Sequence, residues 1–201
     1  MSNSRRAGSV YQTVTRAKWL AIPLLFAASL GAAYNYYQSA QAKFSRIESD
    51  GLKPGSRVEL SANELTAYVE QTVPTVTGGV RNPQLQLVAP GVARGTALID
   101  FAQVERSQGN KPGWLMSKLL EGERPVSVTA RIHSAGGRAT VDVQRVEISG
   151  IVIDGRTLEF LIDNILLPLY PNAVVGRPFE LGHRIERLDV QAHGVGVVIG
   201  R

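Results

Sequence analysis

The sequence predicts an α+β fold in which an N-terminal transmembrane helix precedes a curved antiparallel sheet packed on two or three helices. Three observations support this prediction. The most apolar stretch of the chain is at residues 19–37, close to its start. Strand-like alternation of apolar and polar residues occupies residues 84–105 and 126–148. No strand–helix–strand unit recurs with a fixed period, which favours antiparallel over doubly wound parallel pairing.

Charge is concentrated at the start of the chain. The 201 residues include 22 basic and 17 acidic side chains, a formal net charge of +5. Arg5, Arg6, Arg16 and Lys18 precede the apolar stretch, and without these four there are 18 basic against 17 acidic residues. A nearly neutral remainder argues against a nucleic-acid partner. The absence of cysteine excludes disulfides, thiolate catalysis and thiolate metal sites.

Residues 19–37 have the length and character of a membrane span. Residues 19–34 carry no charge, and a bilayer core takes about 20 apolar residues. The aromatic residues at the two ends suit the membrane–water interfaces; they are Trp19, Tyr34, Tyr36 and Tyr37. Basic residues before the span keep the N-terminus cytoplasmic. We therefore expect a single-pass protein of the bacterial inner membrane, with its main domain extracytoplasmic.

Two other interpretations of this segment stay open. The small-residue pattern Ala40-Gln41-Ala42 after an apolar stretch matches a cleaved secretion signal, although the apolar stretch is longer than usual for one. The segment also has the composition of a buried core helix. With an uncleaved anchor, the chain divides into a basic segment at 1–18, the span at 19–37, a linker at 38–56 and an α+β domain at 57–201.

The domain begins with a short strand and a capped helix. Val58–Leu60 is the strand, and Ser61 followed three residues later by Glu64 is a capping box. Strands follow from residue 84, with a turn at Pro90-Gly91, and an apolar helix is predicted at 114–120.

The stretch 126–148 predicts a long hairpin. Val126, Val128, Ala130 and Ile132 alternate with polar residues, and Gly136-Gly137 suits a tight turn. On the return strand the apolar residues change parity, so a β-bulge near Gln144-Arg145 is expected, which would also bend the sheet. A strongly apolar helix at 157–167 and further strands at the end of the chain complete the order.

No pattern in the sequence specifies a reaction, a metal or a cofactor. The three histidines, His133, His183 and His193, lack neighbours at ligand spacing and are expected on the solvent-facing side of strands. The glycine-rich 194–200 lacks the following helix that a dinucleotide loop needs, because the chain ends at Arg201. We therefore predict a protein that is not an enzyme and has no cofactor.

The apolar helices and bent strands have two expected arrangements. They close into a dry core, or they leave a groove in which an acyl chain is buried. For the second arrangement, the predicted lining residues are Trp114, Leu115, Leu158, Leu161, Ile162, Ile165 and Leu166.

The order of "LSANELTAYV", the "VSVTARI…VDVQRVEISG" hairpin, "LEFLIDNILLPLY" and "RIERLDVQAHGVGV" resembles the LmeA-like phospholipid-binding proteins of the bacterial envelope. The resemblance covers about residues 57–199 and rests on element order and hydrophobic pattern. It implies an envelope protein with a curved sheet on helices that binds phospholipid or a related apolar ligand. The alternative is a non-catalytic scaffold domain with a solid core that docks on envelope proteins, and a hydrolase ranks third.

Overall fold

The structure is a computed structural model that describes residues 21–76, 78–103, 122–163 and 174–201, with the backbone alone at residues 21–32, 76, 157, 160 and 161. The fold is α+β, as predicted, and the strand pairs in these residues are antiparallel. The helices are α1 (Ala21–Glu48), α2 (Ala62–Val76) and α3 (Gly155–Leu161). The strands are β1 (Arg57–Ser61), β2 (Val80–Ala89), β3 (Val92–Asp100), β4 (Glu123–Ala135), β5 (Arg138–Ile148), β6 (Ile151–Ile153), β7 (Phe179–Glu180), β8 (Ile185–Gln191) and β9 (Gly194–Ile199).

The strands at the two ends of the domain form a three-stranded sheet in the order β1-β9-β8. Its register pairs Arg57 with Val198 and Ser61 with Gly194. Apolar side chains of β1 and β9 form a core with α1, and the buried members of this core are Ala40, Ile47, Val58, Leu60, Val197 and Ile199. The glycine-rich end of the chain is therefore a core strand, in agreement with the rejection of a dinucleotide loop.

Helix α1 extends further than the sequence predicts. It continues through residues 38–48, where an irregular linker is expected from the polar composition. Ala40 is 0% exposed and Ile47 is 4% exposed, because both pack against the three-stranded sheet. Burial of this apolar stripe stabilises the helix here, since tertiary packing contributes more to helix stability than local propensity does.

The other strands form a second sheet in the order β2-β3-β4-β5-β6, with β7 also paired to β5. The expected β-bulge is present in the long hairpin. Thr129 pairs with Arg145 and Ala130 pairs with Val143, so Gln144 is the extra residue. The bulge restores the phase of the return strand and keeps its valines on one face.

The sequence predicts one sheet, whereas the hydrogen bonds divide the strands between two. Strand β8 connects the two sheets because it lies across the tips of two hairpins of the larger sheet, β2–β3 and β4–β5. Gly91 N donates to Val190 O at 3.0 Å, and Gly137 N donates to Glu186 O at 2.8 Å. These bonds satisfy the outer edge of β8, which is otherwise an unpaired sheet edge.

Several local predictions are confirmed. The predicted strand 58–60 lies within β1, and the turn at Gly136-Gly137 has positive φ angles of 58° and 76°. In the capping box, Ser61 N donates to the Glu64 carboxylate at 2.7 Å and Glu64 N donates to Ser61 Oγ at 3.2 Å. The predicted helix 114–120 lies outside the described residues, and so do residues 164–167 of the predicted helix 157–167, which begins as α3.

Candidate functional site

One face of the six-stranded sheet is apolar across the long hairpin. Four apolar residues of β4 stand directly opposite four of β5. We call these eight residues the apolar sheet face: Val126, Val128, Ala130, Ile132, Val141, Val143, Val146 and Ile148. On β3, Ala93, Gly95 and Ala97 pair with three of them, so the face continues onto a strand of small residues.

The apolar sheet face is incompletely covered. Each of its eight side chains is partly exposed, and none is buried. In the core beside α1, by contrast, Leu60 and Ile199 are each 2% exposed. A contiguous apolar surface that is only partly covered is a candidate binding surface.

The predicted lining residues are described only in part. Trp114, Leu115, Ile165 and Leu166 lie outside the described residues, and Leu161 is described by its backbone alone. Leu158 is buried, with 8% exposure, and Ile162 is partly exposed one turn further along. The structure therefore places two of the seven, one turn apart at α3, and the lining role of all seven stays a prediction.

A cavity of about 330 Å³ opens mainly on the opposite, polar face of the same sheet. A row of directly paired polar residues crosses it, and these residues are Gln84, Thr96, Ser127 and Glu147. Amide, hydroxyl and carboxylate groups in such a row suit hydrogen bonding to polar groups. The sequence shows the polar alternation on each strand, but only the register brings the four residues into one row.

A second cavity, of about 250 Å³, lies where α1 meets the start of α2 and β9. Glu64, which is 5% exposed, lies at its wall. Lys43 Nζ donates to its two carboxylate oxygens at 2.6 and 2.8 Å, and Ser39 Oγ also donates to it. Ser61 donates through both its backbone N–H and its hydroxyl. The sequence predicts the pairing with Ser61 but not the two partners on α1.

The surroundings of Glu64 determine its ionisation. Burial raises the pKa of its carboxyl, but hydrogen bonds from Lys43, Ser39 and Ser61 outweigh burial and lower the pKa to about 2. Glu64 is therefore a permanent anion in neutral solution, with its oxygens occupied by donors. This arrangement suits a structural link between α1 and α2 better than proton transfer, which needs a pKa near the working pH.

The three histidines are exposed, as predicted, but only His133, on β4, lies on a strand; His193 and His183 lie in the turns before β9 and β8. His183 Nδ1 is 3.6 Å from the Asp50 carboxylate. In the parts of the chain that the structure describes, no three His, Asp or Glu side chains come together as a metal-binding group.

None of the comparisons relates this chain to a known protein. No protein-family model matches the sequence, and neither a curated protein nor a solved structure is significantly similar to it. The resemblance to LmeA-like proteins therefore stays a prediction.

Proposed function

We propose that this chain is a membrane-anchored protein of the bacterial envelope that binds a lipid or another apolar ligand. The observation that carries the proposal is the apolar sheet face, whose eight side chains are all partly exposed. The ligand would lie between this face of the sheet and the predicted helix 157–167, which includes five of the seven predicted lining residues; the other two, Trp114 and Leu115, belong to the predicted helix 114–120. Each methylene moved from water into such a site contributes about 0.8 kcal/mol, so an acyl chain gains enough for stable binding.

The anchor in this proposal is the span 19–37, of which residues 21–37 are the first part of α1. Tyr34 and Tyr36 are 64% and 40% exposed on α1, as suits residues at a membrane interface. Among the helices of the described residues, none has the combined length and hydropathy required to cross a bilayer. The predicted span starts at Trp19, before the first described residue. Basic residues ahead of it favour a cytoplasmic N-terminus in the inner membrane and an extracytoplasmic domain.

The experiment that tests ligand binding is native mass spectrometry of the full chain, extracted in mild detergent that is removed in the gas phase. We expect a co-purified lipid on the wild-type chain. Val128→Gln introduces an amide at the centre of the apolar sheet face and is expected to reduce the lipid-bound fraction. Ser127→Gln, one residue away on the polar face, is the matched control and should keep the lipid. Recovery of bare polypeptide from the wild type, or equal loss in both variants, would contradict the proposal.

The alternative function is a non-catalytic scaffold domain that docks on envelope proteins. The observation that favours it is the burial of Leu158, a predicted lining residue that packs within the protein. In that case, Val128→Gln would lower the stability of the domain, and no lipid would accompany either variant.

A further inference from the structure

The orientation of the domain on its membrane follows from three connections between α1 and the rest of the fold. We infer that α1 is a rigid stalk that holds the edge strand β2 nearest the bilayer and β6 farthest from it. This inference rests on the proposed anchor and goes beyond the proposed function, because it identifies the surface of the domain that faces the headgroups.

The first connection shows that little chain separates the predicted span from the domain. The rings of Tyr37 and Tyr68 stack with centroids 6.1 Å apart, and Phe44 contacts the same ring at 4.5 Å. Ser39, which holds Glu64, lies only two residues after Tyr37, the last residue of the predicted span. Two residues of helix are about 3 Å long, so α2 crosses α1 close to the membrane surface.

The second connection gives the direction of β8 relative to α1. At the C-terminal end of α1, Arg184 donates to the carbonyl of Leu52 at 2.9 Å and also to that of Asp50, just before β8 begins. At the other end of β8, Gln191 pairs with Gly194, which pairs with Ser61 beside the Glu64–Lys43 ion pair. Strand β8 therefore runs antiparallel to α1, and its last residues point towards the membrane.

The third connection gives the order of the large sheet along β8. Three successive outward positions of β8 form hydrogen bonds to the larger sheet. Along the strand, Glu186 bonds to Gly137, Leu188 to Ser134 and Val190 to Gly91. The tip of the β4–β5 hairpin therefore lies away from the membrane, and the tip of the β2–β3 hairpin lies towards it. Helix α2 packs on β2 at the same level, where Thr66 Oγ1 donates to Leu85 O at 2.8 Å.

The outer edge of β2 consequently faces the bilayer. Gln84 on β2 and Val152 on β6 lie on the same sheet face in one cross-strand row, which runs through Thr96, Ser127 and Glu147. Four strand spacings of about 4.8 Å separate them by roughly 19 Å. Both side chains are exposed, so they form a matched pair of reporter positions.

The test uses the full chain, in which a single introduced cysteine is unique because the natural sequence has none. Gln84→Cys and Val152→Cys are each labelled with the same fluorophore. They are reconstituted in phosphatidylethanolamine–phosphatidylglycerol vesicles that contain a lipid with a nitroxide headgroup. We expect a greater loss of fluorescence at position 84 than at position 152. Equal loss at both positions, or greater loss at position 152, would overturn the inference.

A flexible Gly/Ser insert between Tyr37 and Gln38, directly after the predicted span, tests the role of the helix. The insert leaves the domain contacts from Ser39 onward intact, and it is expected to remove the difference between the two labels. A difference that persists with the insert would overturn the rigid-stalk explanation. Vesicle flotation of each sample separates the two hypotheses: a chain that fails to float contradicts the anchor itself, whereas a chain that floats with equal quenching contradicts only the orientation.

Discussion

Lys43 of α1 donates hydrogen bonds to both carboxylate oxygens of Glu64 at the start of α2, and this ion pair joins the two helices through residues that are 21 positions apart in sequence. The Lys43 side chain is 30% exposed, whereas that of Glu64 is 6% exposed. The buried carboxylate is thus held by a lysine at the surface, by Ser39 and by its own capping serine. Removing the negative charge affects all of these contacts together.

The first prediction concerns the pH dependence of stability. The folded-state pKa of Glu64 is lowered from an ordinary 4.5 to about 2. Its contribution is therefore fully present above pH 4.5 and is lost as the pH falls through 2, and it amounts to about 3 kcal/mol. Glu64→Gln should lower the free energy of unfolding at pH 7 and flatten its decline between pH 5 and 2, as followed by chemical unfolding.

The matched control for Glu64 is Glu59→Gln on the neighbouring strand. The Glu59 side chain is 56% exposed and pairs with Arg57 at the surface. An exposed pair of this kind contributes little to stability because solvent screens it, so this variant should unfold much as the wild type does. Equal effects from the two substitutions would contradict the structural role assigned to Glu64.

The second prediction concerns the contact between the two sheets at Ser134. Its hydroxyl accepts from Leu188 N at 2.7 Å and donates to Leu188 O at 3.0 Å, so one side chain satisfies both backbone groups. Ser134→Ala leaves both groups unsatisfied and is expected to cost about 1–3 kcal/mol. Thermal unfolding measures the effect, with Ser45→Ala on the exposed side of α1 as the control. An unchanged midpoint in Ser134→Ala would show that water replaces the hydroxyl without loss.

The third prediction concerns Gly194 of β9, where the backbone of β1 leaves no room for a side chain. A Cβ atom at Gly194 would lie 2.5 Å from Leu60 O and 3.2 Å from Ser61 Cα, both of which are backbone atoms. Gly194→Ala should therefore push β9 from β1 and lower stability by about 1–3 kcal/mol. At Gly95, also in a strand, the nearest atom to a Cβ is Gln84 O at 4.0 Å. Gly95→Ala is thus the control, and equal unfolding midpoints for the two variants would contradict the close approach of β1 and β9.

The fourth prediction concerns the secretion-signal alternative. Cleavage after Ala42 would leave only residues 43–48 of α1 and remove Ala40, which is completely buried in the core. It would also remove Tyr37, which stacks on Tyr68, and Ser39, which donates to Glu64. We therefore expect the mature chain to keep residues 1–42. Intact mass measurement of the protein from membranes checks this, and a mature N-terminus at Lys43 would refute it.

The candidate site follows from the sequence only in part. The alternation in β4 and β5 and the change of parity near Gln144 predict the apolar sheet face and its bulge, because both depend on neighbours along one strand. The row from Gln84 to Glu147 was not predicted, since it needs the register of four strands. Lys43 was not predicted as a partner of Glu64, because the sequence of a polar helix surface does not indicate which distant residue its side chains contact.

The sequence by itself determined the α+β class, the long hairpin with its Gly136-Gly137 turn, and the capping box at Ser61. Each of these depends on residues within a few positions of one another, where backbone preferences and side-chain period act directly. Only the tertiary structure decided that β1 pairs with β9, that the strands form two sheets and that Ala40 and Ile47 of α1 belong to the core. Those features depend on apolar side chains from distant parts of the chain excluding water from one another, and a contact of that kind leaves no local pattern.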